Sequence, residues 1–195
     1  MSVSTQWTVD RFLKKLSSGE PAPGGGSAAA LAGALGCGLG RMVATILLSR
    51  KKIRPPEKRA LKKEIQALTR VGKKLEDLIE EDARAYLILV QAQQGKKVSR
   101  SKMKELRRKA AQCPLDICVE SVKGIQLLSV LLKCTGPYLG SDVRAGQQLL
   151  RGAFGAARAM VEVNLLGAEK TAEAKAVRAR LNQTQRIMER FNGNS

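Results

Sequence analysis

The segment Glu57–Gln94, EKRALKKEIQALTRVGKKLEDLIEEDARAYLILVQAQQ, places apolar or small residues at alternating steps of four and three: Leu61, Ile65, Leu68, Gly72, Leu75, Ile79, then Tyr86 and Leu89. That spacing keeps one face of an α-helix turned toward a core, whereas a strand would alternate faces at every residue. At a rise of about 1.5 Å per residue the helix is about 57 Å long. One position in the seam is out of character. Between Ile79 and Tyr86 the pattern asks for an apolar side chain and finds Asp82, so a carboxylate is expected to point at the core.

The same helical spacing recurs on both sides. Upstream, a short helix over about Thr8 to Ser17 puts Val9, Phe12, Leu13 and Leu16 on one face, and the loop Gly19-Glu-Pro-Ala-Pro-Gly-Gly-Gly ends it. Ser27 is expected to cap the second helix, which runs to about Leu48. That helix carries small residues four apart, Ala29, Gly33 and Cys37 on one line and Ala32, Gly36 and Gly40 on the next. Two such lines allow close helix neighbours despite the helix cost of glycine. Downstream, a fourth helix begins near Ser99 and contains Pro114, which should kink it and free a carbonyl near Ala110. After the turn Thr135-Gly-Pro-Tyr-Leu-Gly, Ser141 is the expected N-cap of a fifth helix and Asp142 complements its dipole. That helix uses Val143, Leu150, Phe154, Ala157 and Val161, meets Asn164 at the next core-facing step, and is expected to close at Gly167. A last helix, about Thr171 to Phe191, turns Val177, Leu181, Thr184, Met188 and Phe191 inward.

With no convincing alternating run, domain boundary or repeat, residues 1–195 are read as one all-α domain. The architecture expected is an elongated antiparallel bundle of about six helices. Exposed small-residue ridges on long helices make it a homodimer.

Composition narrows the chemistry. The 195 residues include 35 Lys+Arg, 17 Asp+Glu and no histidine, for a formal charge of +18. Without imidazole, His-centred triads and His-ligated zinc are excluded, and any acid or base is a carboxylate, Lys, Tyr or Cys. Cys37, Cys113, Cys118 and Cys134 form no Cys-x-x-Cys pair and are read as reduced thiols. Met1 to Glu20 lacks an apolar signal-peptide core, so a cytoplasmic location is expected. Pro21 to Gly40 is uncharged, but its Gly and Ala content fits a tightly packed helix better than a membrane span.

Three features can carry function. A carboxylate in an apolar seam has a raised pKa, the condition for proton transfer near neutral pH; the plainer account is a structural Asp satisfied by Arg or Ser. Glu80 and Glu81 do not share its helix face, so a paired-carboxylate mechanism needs a partner from another helix, with Asp142 the candidate. The Pro21-Ala-Pro-Gly-Gly-Gly-Ser27 block offers backbone amides at a helix start, although Gly-rich turns before helices are common and no strand precedes this one. Finally, Arg50–Lys63 and Lys96–Lys109 hold eight Lys/Arg each. Such tracts attract polyanions, but they lack interleaved aromatics, and a solvated face is the simpler reading.

Taken together, Phe12-Leu-Lys-Lys-Leu, PAPGGGSAAALAGALGCGLGRMV over Pro21–Val43, Asp82-Ala-Arg-Ala-Tyr86, Ser141-Asp-Val and Asn164-Leu resemble, in consistent order over residues 8 to 168, the cyclodeaminase/cyclohydrolase family of folate enzymes. The Pro-x-Pro-Gly-Gly-Gly-Ser block leading into an Ala/Gly helix is the specific part. The family comprises formiminotetrahydrofolate cyclodeaminases and stand-alone methenyltetrahydrofolate cyclohydrolases. The resemblance implies an all-helical homodimer that binds folate near the subunit interface, with no metal and no cofactor besides the tetrahydrofolate substrate itself. By family position Asp82 is the catalytic proton carrier. Gly24, Gly25, Gly26 and Ser27 would approach the pterin or the one-carbon unit, Lys51 the glutamyl carboxylate, and Tyr86, Ser141, Asp142 and Asn164 would line the same cleft. The sequence departs from the family pattern at Arg50, at Gln93-Gln-Gly-Lys96 and at Thr135-Gly-Pro-Tyr138, which bears on substrate detail. The expected reaction is hydrolysis of 5,10-methenyltetrahydrofolate to formyltetrahydrofolate, because no formiminotransferase half accompanies the domain. The cyclodeaminase reaction is the alternative, and a non-catalytic polyanion-binding helical protein is the alternative of another class. A folate, polyglutamylated or not, is the expected ligand; no membrane is expected and nucleic acid is less favoured.

Overall fold

In a computed structural model of the chain, residues 3–94, 98–166 and 171–191 are described. They form six helices and, among the described residues, no strand: α1 Val9–Leu16, α2 Gly25–Leu48, α3 Pro55–Gln94, α4 Arg100–Leu132, α5 Pro137–Asn164 and α6 Ala172–Glu189. The all-α bundle expected from the sequence is the fold observed. Gly167 and Lys96 lie outside the described residues.

Four helices make the core. α2 packs on α3 and α5, α4 packs on the same two, and α2 and α4 touch across the diagonal, while α6 lies on α4. Contacts such as Gly33 with Leu75 and Gly36 with Gly146 show that α3 and α5 both run antiparallel to α2. The two small-residue lines of α2 are what allow this. A Cβ on Gly36 would stand 2.6 Å from the Gly146 carbonyl, so α2 and α5 meet backbone to backbone. One turn on, a Cβ on Gly40 would collide with Leu128 of α4 at 2.2 Å. Larger side chains would force the helices to a wider spacing. By length and composition α2 is apolar enough to cross a membrane. Its Ala30, Cys37, Val43 and Ala44 are instead fully buried among the other helices.

Helix starts follow capping chemistry, with two corrections. Thr8, Ser99 and Thr171 each accept a bond from the amide three residues on, at 3.1–3.2 Å. Ser27 does not cap α2: the helix begins at Gly25 with extended Gly24 as N-cap, and Ser27 is wholly buried in the first turn. Nor does Ser141 cap α5. Pro137 opens that helix after Gly136, because its fixed φ suits the first helical position and its missing N–H is not needed there. Ser141 and Asp142 therefore sit in the second turn, where the Ser141 hydroxyl donates to the Tyr138 carbonyl.

The outer helices are ordinary amphipathic elements. Phe12 anchors α1, and the preceding segment is tied to α3 by the Thr5 amide donating to Glu80 Oε1 at 2.9 Å. In α6, Leu181, Thr184 and Met188 are buried as the spacing predicts and Val177 is partly so, as is Phe191 just beyond the helix end.

Candidate active site

The antiparallel arrangement of α2 and α3 brings the start of one helix against the middle of the other. Gly26 lies directly over Asp82: a Cβ there would stand 2.2 Å from Asp82 Oδ1 and 2.4 Å from Oδ2. Only glycine permits that approach. The Ser27 hydroxyl donates to the Ile79 carbonyl at 2.9 Å and lies 3.5 Å from Asp82 Oδ2. A hydroxyl has one proton and the shorter contact takes it, so the hold on Asp82 comes chiefly from the Ser27 backbone amide. That amide is one of the first-turn donors that α2 cannot satisfy internally.

Two influences therefore compete at Asp82. Burial favours the neutral acid and is the larger; the Ser27 amide and hydroxyl favour the carboxylate, and the result is a pKa raised above its ordinary 3.8. The carboxyl borders a cavity of about 590 Å³ whose wall includes Pro21, Gly24, Gly25, Tyr86, Met160 and Asn164. Tyr86 stands one turn beyond Asp82 on the same face of α3 and is about half exposed, at 47%. Among the described residues no second carboxylate and no cation lines this cavity. Glu80 is engaged by Thr5, and Glu81 pairs with Lys74 at 3.2 Å. The expected carboxylate partner is thus absent from the cavity within one chain. Cys113, beside this region, is pushed up to about 12, first by burial and then by Asp82 and Glu81, so it stays a neutral thiol.

Asn164 closes the other side. Pro114 has no N–H to offer the carbonyl four residues earlier, and that carbonyl, Ala110 O, accepts a bond from Asn164 Nδ2 at 2.9 Å. The two irregularities seen in the sequence satisfy one another across α4 and α5. Asn164 also lines a second cavity, of about 600 Å³, between α4 and α6.

The structure therefore gathers Gly24, Gly25, Gly26, Asp82, Tyr86 and Asn164 at one cavity, with Ser27 beneath it. It does not bring Lys51, Ser141 and Asp142 there within one chain. Lys51 follows the far end of α2, a helix about 36 Å long, and Ser141 lies about 35 Å from Asn164 along α5. The sequence reading missed Met160, Val163 and the alanines of α5 that form the apolar wall; nothing in their spacing distinguishes that wall from a core face.

The class defined by fold and site is an α-helical bundle holding one desolvated carboxylate at a helix start. Among solved structures, formiminotetrahydrofolate cyclodeaminase from Thermotoga maritima matches with a TM-score of 0.86 over 95% of this chain and 92% of that one, at 22% identity. In sequence, methenyltetrahydrofolate cyclohydrolase from Methylorubrum extorquens is 30% identical over 118 residues, which is 57% of this chain and 56% of that protein. The chain thus spans little more than half the length of that relative. The profile of the formiminotransferase-cyclodeaminase family matches residues 8–183, and the chain belongs to that family.

Proposed function

We propose that the chain hydrolyses 5,10-methenyltetrahydrofolate to formyltetrahydrofolate, with Asp82 moving the proton. The observation that carries the reading is the lone, desolvated Asp82 on the wall of a largely apolar cavity. As carboxylate it accepts one proton from the water that attacks the methenyl carbon. As acid it returns that proton to the nitrogen whose bond to the carbon opens, while the second water proton leaves to solvent as the carbonyl forms. A pKa raised toward the working pH serves both steps. Tyr86 and Asn164 are positioned to orient the folate, and the first turn of α2 holds the carboxyl in place. The choice of hydrolysis follows similarity to the Methylorubrum relative. A second reading, ammonia release from formiminotetrahydrofolate, is favoured by the family itself. Loss of methenyl absorbance supports the first, and ammonia release from the formimino substrate supports the second. Nucleic-acid affinity that falls steeply with salt, without folate binding, would replace both with polyanion binding.

The same reading includes a cytoplasmic homodimer. All four cysteines are free thiols, which suits a reducing compartment. On α2, Leu35, Met42 and Ile46 are exposed in a row, and nothing lies over Gly38. A second copy is the cover proposed for this face. An isologous contact along α2 is also the route by which Lys51, Ser141 and Asp142 of one copy would reach the cavity of the other. Light scattering of wild type and of Met42→Lys/Ile46→Lys tests it; a monomeric wild type would refute it.

A further inference from the structure

Pro114 sits near the middle of α4, is buried, and lines neither the first nor the second cavity. It nevertheless reaches the candidate active site, through one carbonyl. A helical carbonyl accepts from the amide four residues on, and Pro114 has no N–H to give Ala110 O. Ala110 is buried on the wall of the first cavity, where an unpaired carbonyl is unfavourable. Asn164, the last residue of α5, supplies the missing donor: its Nδ2 lies 2.9 Å from Ala110 O. An asparagine amide has two ends, an acceptor and a donor, exchanged by a half-turn of the side chain. Ala110 O carries no proton, so the turned amide would set oxygen against oxygen. The bond therefore selects one of the two orientations. Nδ2 is spent on α4, and the end left for a ligand is Oδ1. Among the described residues three polar side chains border the first cavity, Asp82, Tyr86 and Asn164, so the orientation of one amide decides a large part of what the wall can recognise.

We infer that Pro114 is a positioning residue for ligand recognition. By denying Ala110 O its partner within α4, it holds Asn164 with Oδ1 as the end offered to the cavity, where that oxygen accepts from an N–H at the edge of a flat heterocycle. This rests on the folate reading, under which the donor is an N–H of the pterin. A ligand carrying a ring acceptor at the same place would meet oxygen with a lone pair and lose the bond. The proline thus has a role apart from any bend it puts in α4, and the two roles predict different couplings to Asn164.

Pro114→Ala supplies the missing N–H, so Ala110 O bonds within α4 and Asn164 is free to turn. The test measures kcat and KM on 5,10-methenyltetrahydrofolate, and titrates Kd for the product formyltetrahydrofolate, in wild type, Pro114→Ala, Asn164→Ala and the double variant. Pro114→Ala should raise KM and Kd about two- to tenfold, the worth of one hydrogen bond, with a smaller change in kcat. Its unfolding midpoint should be no lower than that of wild type, because a helix gains from losing an internal proline. In the Asn164→Ala background the same substitution should leave KM and Kd unchanged, since no amide remains to be held. A rise of equal size in both backgrounds would mean that Pro114 acts by bending α4, and no rise in the wild-type background would mean that Asn164 needs no such hold. Either result overturns the proposal and leaves the folate reading intact. Asn164→Asp adds a measurement that needs no ligand. At neutral pH its carboxylate has no proton for Ala110 O, so in denaturant unfolding Pro114→Ala should stabilise this variant more than it stabilises wild type; equal gains would overturn the orientation argument. Neither turnover nor folate binding by wild type would overturn the folate reading and this inference with it.

Discussion

Gly26→Ala tests the central contact of the site directly. The new Cβ would stand 2.2–2.4 Å from Oδ1, Cγ and Oδ2 of Asp82, against ordinary contacts of 3.4 Å and above. Either the carboxyl moves by about 1 Å, or the first turn of α2 lifts from α3. Both separate Asp82 from the Ser27 amide. Overpacking of this kind costs about 1–3 kcal/mol, which for a domain of this size lowers Tm by roughly 2–12 °C. Two neighbours calibrate the effect. Gly24→Ala meets nothing within 4 Å, and Gly25→Ala meets only the flexible end of the Met160 side chain, which can swing aside; both should stay within about 1 kcal/mol of wild type. The decisive comparison is the same substitution in an Asp82→Ala background. There the clash is gone and alanine improves helix propensity, so Gly26→Ala should become neutral or stabilising by up to about 1 kcal/mol. Denaturant unfolding of the four proteins, followed by helical circular dichroism, gives the coupling. If Gly26→Ala costs as much without the carboxylate as with it, the reasoning is wrong.

Asp82→Asn should nearly abolish turnover while the bundle still folds; unchanged turnover would remove Asp82 from the mechanism. Its stability should also depend on pH in a fixed sense. Because burial raises the folded pKa above the unfolded 3.8, the native state binds the extra proton. Wild type then loses stability as pH rises from about 4 through the raised pKa. The advantage of Asp82→Asn should grow across that window and then level off, and a gap that shrank with rising pH would contradict the sign. Asn164→Ala should cost about 1–3 kcal/mol by leaving the Ala110 carbonyl unpaired. Adding Pro114→Ala should recover part of it by restoring an N–H four residues on, and denaturant midpoints will show whether it does. At neutral pH an alkylating reagent should label Cys134 alone, since burial pushes Cys37, Cys113 and Cys118 up to about 12; mass spectrometry showing a second rapid adduct would refute this.

Much of this site is legible in the sequence, and what is not legible has specific physical causes. The seam of α3 named Asp82 because one carboxylate in a run of apolar steps is a local signal with a tertiary meaning. The glycine lines of α2 named the close helix contacts for the same reason. The caps expected at Ser27 and Ser141 do not form because an N-cap residue must itself be extended, and both serines already lie inside a helix. Three glycines allow α2 to start earlier, and Pro137 starts α5 four residues before Ser141. Lys51, Ser141 and Asp142 were grouped with Asp82 by motif. Helix-length arithmetic on antiparallel α2 and α5 separates them within one chain. The apolar wall of Met160 and Val163 was invisible, because a cavity lining and a core face have the same period.

The start of α2 has the geometry usually associated with anion binding, but the amide of Ser27 there is already taken by an internal carboxylate. Asp82 already accepts from the Ser27 amide, delivered from α3 through the gap that Gly26 leaves. This changes what the Gly-rich block is for. If the amides faced substrate, their removal would weaken binding and leave Asp82 untouched. Facing Asp82, the Ser27 amide sets its proton affinity: burial alone would drive the acid further toward the neutral form, and this bond draws it back. The carboxyl is thereby kept able to exist in both forms, as the proton relay proposed for it requires. Lengthening the distance between Gly26 and Asp82 should therefore shift the acidic limb of the rate profile to higher pH before it affects KM. That order of effects separates a block that tunes the acid from one that binds the ligand.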